Sequence, residues 1–453
     1  MSESTRSSLP TGYTRRAVAT GALAGGAAAL AACGTVGDQT PAKAAVPVTL
    51  DAWSPWDGNP ADFDQRKASL KEAQPHITLN WTGTGFATYL DKVTAAVASG
   101  TPHDLTYLDN QHQGFFGKNK LVVDQGPFGK RDKDFKVEAI DPKALALYTY
   151  EGAVLGYPWS LTTGQVFFNK ALFAAAGRPT PDTLYRAGNW TWAAMLEAAQ
   201  ALTRANPDGT FQQLGMAHTN ASLWQLLIQS NGSDLYDDFR KPKKSRLDEP
   251  AAVQALEWLQ DAIVKHRVAW RVPEATGLGM NARVAFSLGK IAMHSDYGTP
   301  TPANTTLGPI MDQLGWVPAP KGPAAGGKPT TDLTTEAQGI MKASNKQDAG
   351  WLYAKWFQKD WQRVKLLEKL SPRVASRADL QDVARAALPA PQDLWFEMVK
   401  MGQARPVFPD RGKTDGEILN PQLNAVWRGE ATPRAAAMTA AKQLNDYFAA
   451  NPQ

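Results

Sequence analysis

From Val48 the chain alternates short runs of period two with stretches of helical period. Val48, Leu50 and Ala52 alternate with polar residues and lead into Trp53, and Ile77, Leu79 and Trp81 repeat the pattern, so both predict half-buried strands. Residues 61–73 between them read as a polar helix. Phe86, Leu90, Val93 and Val97 fall at spacings of four, three and four, an apolar stripe that Gly100 closes. Leu105–Leu108 is a third short strand. Strand, helix, strand, helix, strand predicts a mostly parallel sheet with crossover helices. Ligands of such sheets sit beyond the carboxyl ends of the strands. Those ends are residues 53–57, 82–85 and 109–111, all polar or aromatic.

Residues 154–177 are the expected middle of the molecule. An apolar strand runs into Gly156-Tyr157-Pro158-Trp159, a polar segment follows, then a strand at 166–169 and a helix ending at Gly177. This predicts a crossing between two lobes. Gly315-Trp316-Val317-Pro318 is similar in type and reads as the second crossing. Thr191 can cap a helix with the stripe Met195, Ala199 and Leu202, and Pro250 opens another through Val253, Leu256, Leu259 and Ile263. Residues 318–331, rich in proline and glycine, form a loop. Ser344 to Gln347 has capping-box spacing before a helix with Trp351, Trp356 and Phe357, and after the break at 371–373 the pattern is helical from Asp379 to the end.

Composition narrows the function. With 453 residues, 43% apolar and 20% charged, the chain supports two ordinary domains. Its net charge of +5 falls to +3 without the first 32 residues, which hold three arginines and one glutamate, so no nucleic-acid partner is implied. The one cysteine, Cys33, excludes an internal disulfide. Arg15-Arg16, an uncharged run at 17–32 and Leu30-Ala31-Ala32-Cys33 have the regions of a bacterial secretion signal with a lipoprotein processing site, in which the Cys33 thiol carries acyl chains. The paired arginines suggest twin-arginine export. Residues 35–47 read as a tether to the membrane.

Several short segments together resemble the extracellular solute-binding proteins of ABC importers, in the sugar-binding group related to maltose-binding protein. They are 98–105 (ASGTPHDL), Gly156-Tyr157-Pro158, 167–177 (FFNKALFAAAG), Trp190-Thr191-Trp192, 286–293 (FSLGKIAM) and Gly339-Ile340 with the helix start at 344–349, in that family's order. The resemblance implies an α/β, two-lobed periplasmic-binding-protein fold of type II. Each lobe is a mostly parallel sheet flanked by helices, and the cleft lies at the hinge. It implies a signal peptide at 1–32, a tether at 33–47, one lobe from 48–159 with 318–370, and a second from 160–317 with 371–453. A monomer is implied, with an ABC permease as partner and no cofactor or metal.

A sugar offers apolar faces and a ring of hydroxyls, so its site needs flat aromatics together with acids, amides and arginines. The candidates are Trp53, Asp57, Asp109, Asn110, Gln111, Trp159, Tyr297, Trp316, Glu336 and Arg373. For Trp159, Tyr297 and Trp53 the resemblance adds a match to stacking positions. Enzymatic readings are weaker. Gly322 to Lys328 has the spacing of a phosphate loop, but Pro329 stands where Ser or Thr would bind magnesium. The six histidines show no pair at ligand spacing and no nucleophile elbow occurs. A secreted glycoside hydrolase using paired carboxylates is the alternative expectation.

Overall fold

The computed structural model describes residues 46–55, 60–85, 88–218, 222–270, 280–299, 307–370 and 372–452. Cys33, Trp56, Asp57 and Phe86 lie outside the described residues.

β1 (Val48–Ser54) pairs in parallel with β2 (Ile77–Gly83) along its length and with β3 (Leu105–Leu108) on its other side. The period-two pattern is the cause: Leu50 and Ala52 are buried under one face while Asp51 is exposed. The helix Tyr89–Ala98 packs Tyr89 and Val93 with Trp53 and Leu108. β4 (Thr149–Tyr150) and β5 (Ala153–Val154) form a hairpin whose turn residues Glu151 and Gly152 both have positive φ, 48° and 85°, as a type I′ turn requires.

β6 (Ser160–Asn169) is the spine of a second, eight-stranded sheet, and all ten of its residues are buried. β7 (Arg204–Ala205), β8 (Phe211–His218) and β9 (Ile291–Tyr297) follow on one edge in the order β6-β9-β8-β7. β10 (Leu314–Val317) and β11 (Asp332–Thr334) pair with its other edge. β12 (Ala337–Ile340) leaves this sheet and joins the first, antiparallel to β3, giving the order β12-β3-β1-β2. β13 (Val374–Ala375) pairs with the start of β6, and β14 (Gln403–Ala404) lies parallel to β11. Val166 and Phe168 face one apolar core with Met216 and Met293, whereas Leu161 and Phe167 face another with Leu214 and Ile291, the alternation of a strand covered on both sides. Among the described residues no helix is long and apolar enough to cross a membrane.

Five expectations change, the last being that both sheets are mostly parallel. The polar segment before Val166 is the first half of β6, because its side chains find partners inside the sheet: Thr163 Oγ1 donates to Gln165 Oε1 (2.9 Å) and Gln165 Nε2 to the Gly298 carbonyl (2.6 Å). The chain does not change sheets at Trp316–Pro318. β10 pairs with Val166 to Asn169 well inside the large sheet, and the second crossing is the step from β11 to β12. Ser344 does not cap the helix Gln347–Trp356; its hydroxyl donates instead to buried Asp104 (2.6 Å). The carboxyl-terminal region is not wholly helical, since β14 completes the large sheet beside β11. The small sheet is parallel except for β12. In the large one β6 runs against β9, β10 and β11.

Candidate functional site

Three passes of chain lie side by side where the sheets meet. Pro158 bridges Ala337, and Trp159 N donates to the Glu336 carbonyl (3.3 Å). The third pass adds Val374 opposite Leu161, with Ser376 N donating to the Trp159 carbonyl (3.4 Å) and its hydroxyl to that of Pro158. These extended passes carry backbone partners on both sides and form a hinge ladder.

On the large-sheet side Gly164 lies between Asp332 of β11 and Tyr297 of β9. A β-carbon there would come within 2.2 Å of Asp332 Oδ1 and 2.9 Å of the Tyr297 ring, so only glycine fits this close approach. Asp332 Oδ1 accepts from Gly164 N (2.8 Å), and Oδ2 accepts from the Tyr297 hydroxyl. Arg405, just past β14, brings Nε to 3.4 Å from Asp332 Oδ2 and holds its guanidinium 5.1 Å from the Tyr297 ring centre. Asp332 is fully buried; burial pushes its carboxyl up, and Arg405, Tyr297 and Gly164 recover only part of that shift. Burial would lower Arg405, but Tyr297, Asp332, Asp415 and, from the small-sheet side, Asp109 hold it above its usual value.

On the small-sheet side the loop after β3 supplies Asp109, Asn110 and Gln111. Asp109 accepts from Gln111 N (2.7 Å), His112 N (2.9 Å) and His112 Nδ1 (2.9 Å). Burial pushes its carboxyl up, but His112 and the two amides outweigh it and leave it below the usual range. Buried Asn110 ties this loop to the hinge, with Nδ2 on the Leu333 carbonyl and Oδ1 facing Thr335 N, each at 3.4 Å. At the hinge itself Arg373 Nη1 donates to Glu336 Oε2, which also faces the Ser160 hydroxyl (3.5 Å), and the Glu336 charge acts on buried Tyr107. Burial, then the Glu336 charge, pushes Tyr107 far up, so its proton stays in place.

The structure thus gathers Asp109, Asn110, Gln111, Tyr297, Glu336 and Arg373 near one hinge. Three tryptophans are placed otherwise. Trp316 is buried in the large-sheet core, stacked on Trp395 at 4.8 Å. Trp53 lies within β1 instead of past its end and stacks on His103 at 4.4 Å and 5°. Trp159 is 5% exposed, wedged edge-on between Tyr107 (5.7 Å) and Phe357 (4.7 Å). It supports the hinge and offers no open face. Asp57 falls outside the described residues. Tyr107, His112, Asp332 and Arg405 were not legible as site residues: Asp332 follows a stretch read as loop, and Arg405 sits in one read as helix.

Two tyrosine hydroxyls, carboxylates and guanidinium groups around a hinge make the donor and acceptor set that a hydroxyl-rich solute needs. The family model for bacterial extracellular solute-binding proteins matches residues 57–362. The chain belongs to this family.

Relatives of this solute-binding protein are distant in sequence and close in fold. A putative binding protein of Brucella abortus is 23% identical over 303 residues, 66% of this chain and 69% of that one. The ABC substrate-binding protein of Listeria monocytogenes in complex with cycloalternan superposes with a TM-score of 0.75 at 19% identity, covering 89% of this chain and 99% of that one. A Thermotoga lettingae solute-binding protein bound with α-D-tagatose gives 0.73 at 21%, covering 88% and 99%. The GacH receptor of Streptomyces glaucescens, solved unliganded and with acarbose, gives 0.74 at 18%, covering 90% and 100%. The fold is the two-lobed, type II α/β arrangement. The phosphate-loop spacing at Gly322 has no cradle to offer: Gly322 N and Lys328 N both donate to the Ser230 carbonyl (3.0 Å each), and Ala324 N to Asn231 Oδ1 (2.9 Å).

Proposed function

We propose that this solute-binding protein captures a sugar or oligosaccharide between its two lobes and hands it to a membrane ABC permease. The small sheet with its helices is one lobe, and the large sheet is the other. The observation that carries the reading is the convergence of Asp109, Glu336 and Arg373 with Tyr297, Asp332 and Arg405 on one hinge ladder. A ligand touching both sets has differential affinity for the closed arrangement, which is what drives hinge closure. The sugars named with the similar structures support the same ligand class.

The mature protein is anchored outside the cell membrane by acyl chains on Cys33 and acts as a monomer. A thermal-shift screen over mono- and oligosaccharides, with amino acids and polyamines as controls, tests the ligand class; stabilisation by the controls alone overturns it. Cys33→Ser should release the protein from membranes, and unchanged retention removes the anchor.

A further inference from the structure

A cavity of about 190 Å³ is walled by Gln113, Thr149 and Glu151 from the small-sheet side and by Asp238, Arg240 and Lys241 from the large-sheet side. It shares no lining residue with Tyr107, Glu336 and Arg373 or with Tyr297, Asp332 and Arg405. Arg240 is half-buried over Phe239, 5.0 Å from the ring centre, and its Nη1 donates to the Thr149 carbonyl (2.8 Å) across the junction. Its Nε and Nη2 form the side-on fork of the guanidinium. Both are buried and have no hydrogen-bond partner among the described residues.

Gln113, 3% exposed, adds a third buried donor without a partner, Nε2. The nearby acids are engaged elsewhere. Asp238 Oδ1 accepts the backbone N–H of Arg240 (2.7 Å) and Lys241 (2.8 Å), while Glu151 pairs with Lys241 Nζ (3.5 Å). Burial lowers the Arg240 guanidinium and Asp238 only partly opposes it, as for a cation short of counter-charge. A buried guanidinium fork is the shape that a carboxylate or phosphate engages through two parallel hydrogen bonds. The cavity is smaller than the several hundred Å³ usual for larger ligands, so its occupant is small.

We propose that this cavity binds a small oxyanion, a carboxylate or phosphate, through Nε and Nη2 of Arg240 and Nε2 of Gln113. Its walls belong to both sides of the junction, so the occupant bridges them. The site is independent of the sugar reading.

The test is thermal unfolding of the purified protein in inorganic phosphate, sulfate or acetate, against chloride at matched ionic strength and without sugar. A saturable rise of about 2 °C over chloride is expected at ligand well above its dissociation constant. Acetate acting alone marks a planar carboxylate site, and phosphate and sulfate acting alone mark a tetrahedral one. The rise should vanish in Arg240→Gln and shrink in Gln113→Leu, which keeps the test open if the arginine variant folds poorly. An unsaturable rise, one equal to that in chloride, or one retained in Arg240→Gln overturns the site. Sugar binding measured in the same variants reads out separately, so failure here leaves the sugar reading untouched.

Discussion

The hinge carries two triads of the same kind, each a tyrosine, a carboxylate and an arginine: Tyr297, Asp332 and Arg405 on the large-sheet side, and Tyr107, Glu336 and Arg373 on the small-sheet side. Their surroundings differ. Asp332 is fully buried and also takes a backbone N–H from Gly164, so its carboxylate is part of the sheet. The Glu336 side chain keeps 17% exposure and answers to side chains, Arg373, Tyr107 and Ser160. The same tyrosine, carboxylate and arginine grouping is thus tied into the sheet in one place and held by side chains alone, partly exposed, in the other. Backbone attachment and solvent access decide which.

Removing each carboxylate is the strongest way to break this comparison. Asp332→Ala leaves Arg405 buried without its counter-charge and should cost about 3–5 kcal/mol in urea unfolding, whereas Glu336→Ala should cost about 1 kcal/mol. Equal losses would mean that both triads are scaffolds.

Next in size is a pH effect set by His103 on the small-sheet side. Burial holds His103, beneath Trp53, down to about 4 from 6.5, with Asp104 and Asp51 pulling it partly back. The folded state binds fewer protons than the unfolded chain across that window. Stability therefore falls as pH drops from 6.5 to 4, by about 3 kcal/mol, and His103→Phe should flatten the slope. Asp332 has the opposite sign: its carboxyl is raised above 3.8, so its contribution is present at low pH and is lost as pH climbs through the folded value. In the His103→Phe background, Asp332→Asn should change the remaining slope.

Gly164→Ala sharpens the contrast more gently. The new methyl meets Asp332 and the Tyr297 ring, and the displacement should cost about 1–3 kcal/mol and weaken sugar binding. The smallest effect is expected from Glu336→Gln, which keeps the shape and removes the charge. Calorimetric titration should show roughly tenfold weaker sugar binding with an unchanged unfolding midpoint. A loss of stability instead would place Glu336 with the scaffold.

Much of the small sheet was legible because its pattern is local. Val48, Leu50 and Ala52 alternate over a surface buried on one side, and β1 forms where that pattern lies. Thr191 caps the expected helix, accepting from Ala194 N (3.2 Å). Asp109, Tyr297, Glu336 and Arg373 could be singled out as candidates because each ends or flanks a strand or a break in the pattern. Trp316 and Trp53 misled because an aromatic next to a turn looks alike whether its ring meets solvent or another ring.

The sequence by itself determined β1 to β3 with their parallel order, the helix capped by Thr191 and the family, because these follow from periodicity and from short motifs in order. Tertiary structure alone decided that Ser160 to Gln165 form a buried strand, that the second crossing falls between β11 and β12, and that Arg405 meets Asp332 over Gly164. The physical reason is that a polar residue can be buried only when a partner waits for it. Those partners come from distant segments that no local pattern reveals.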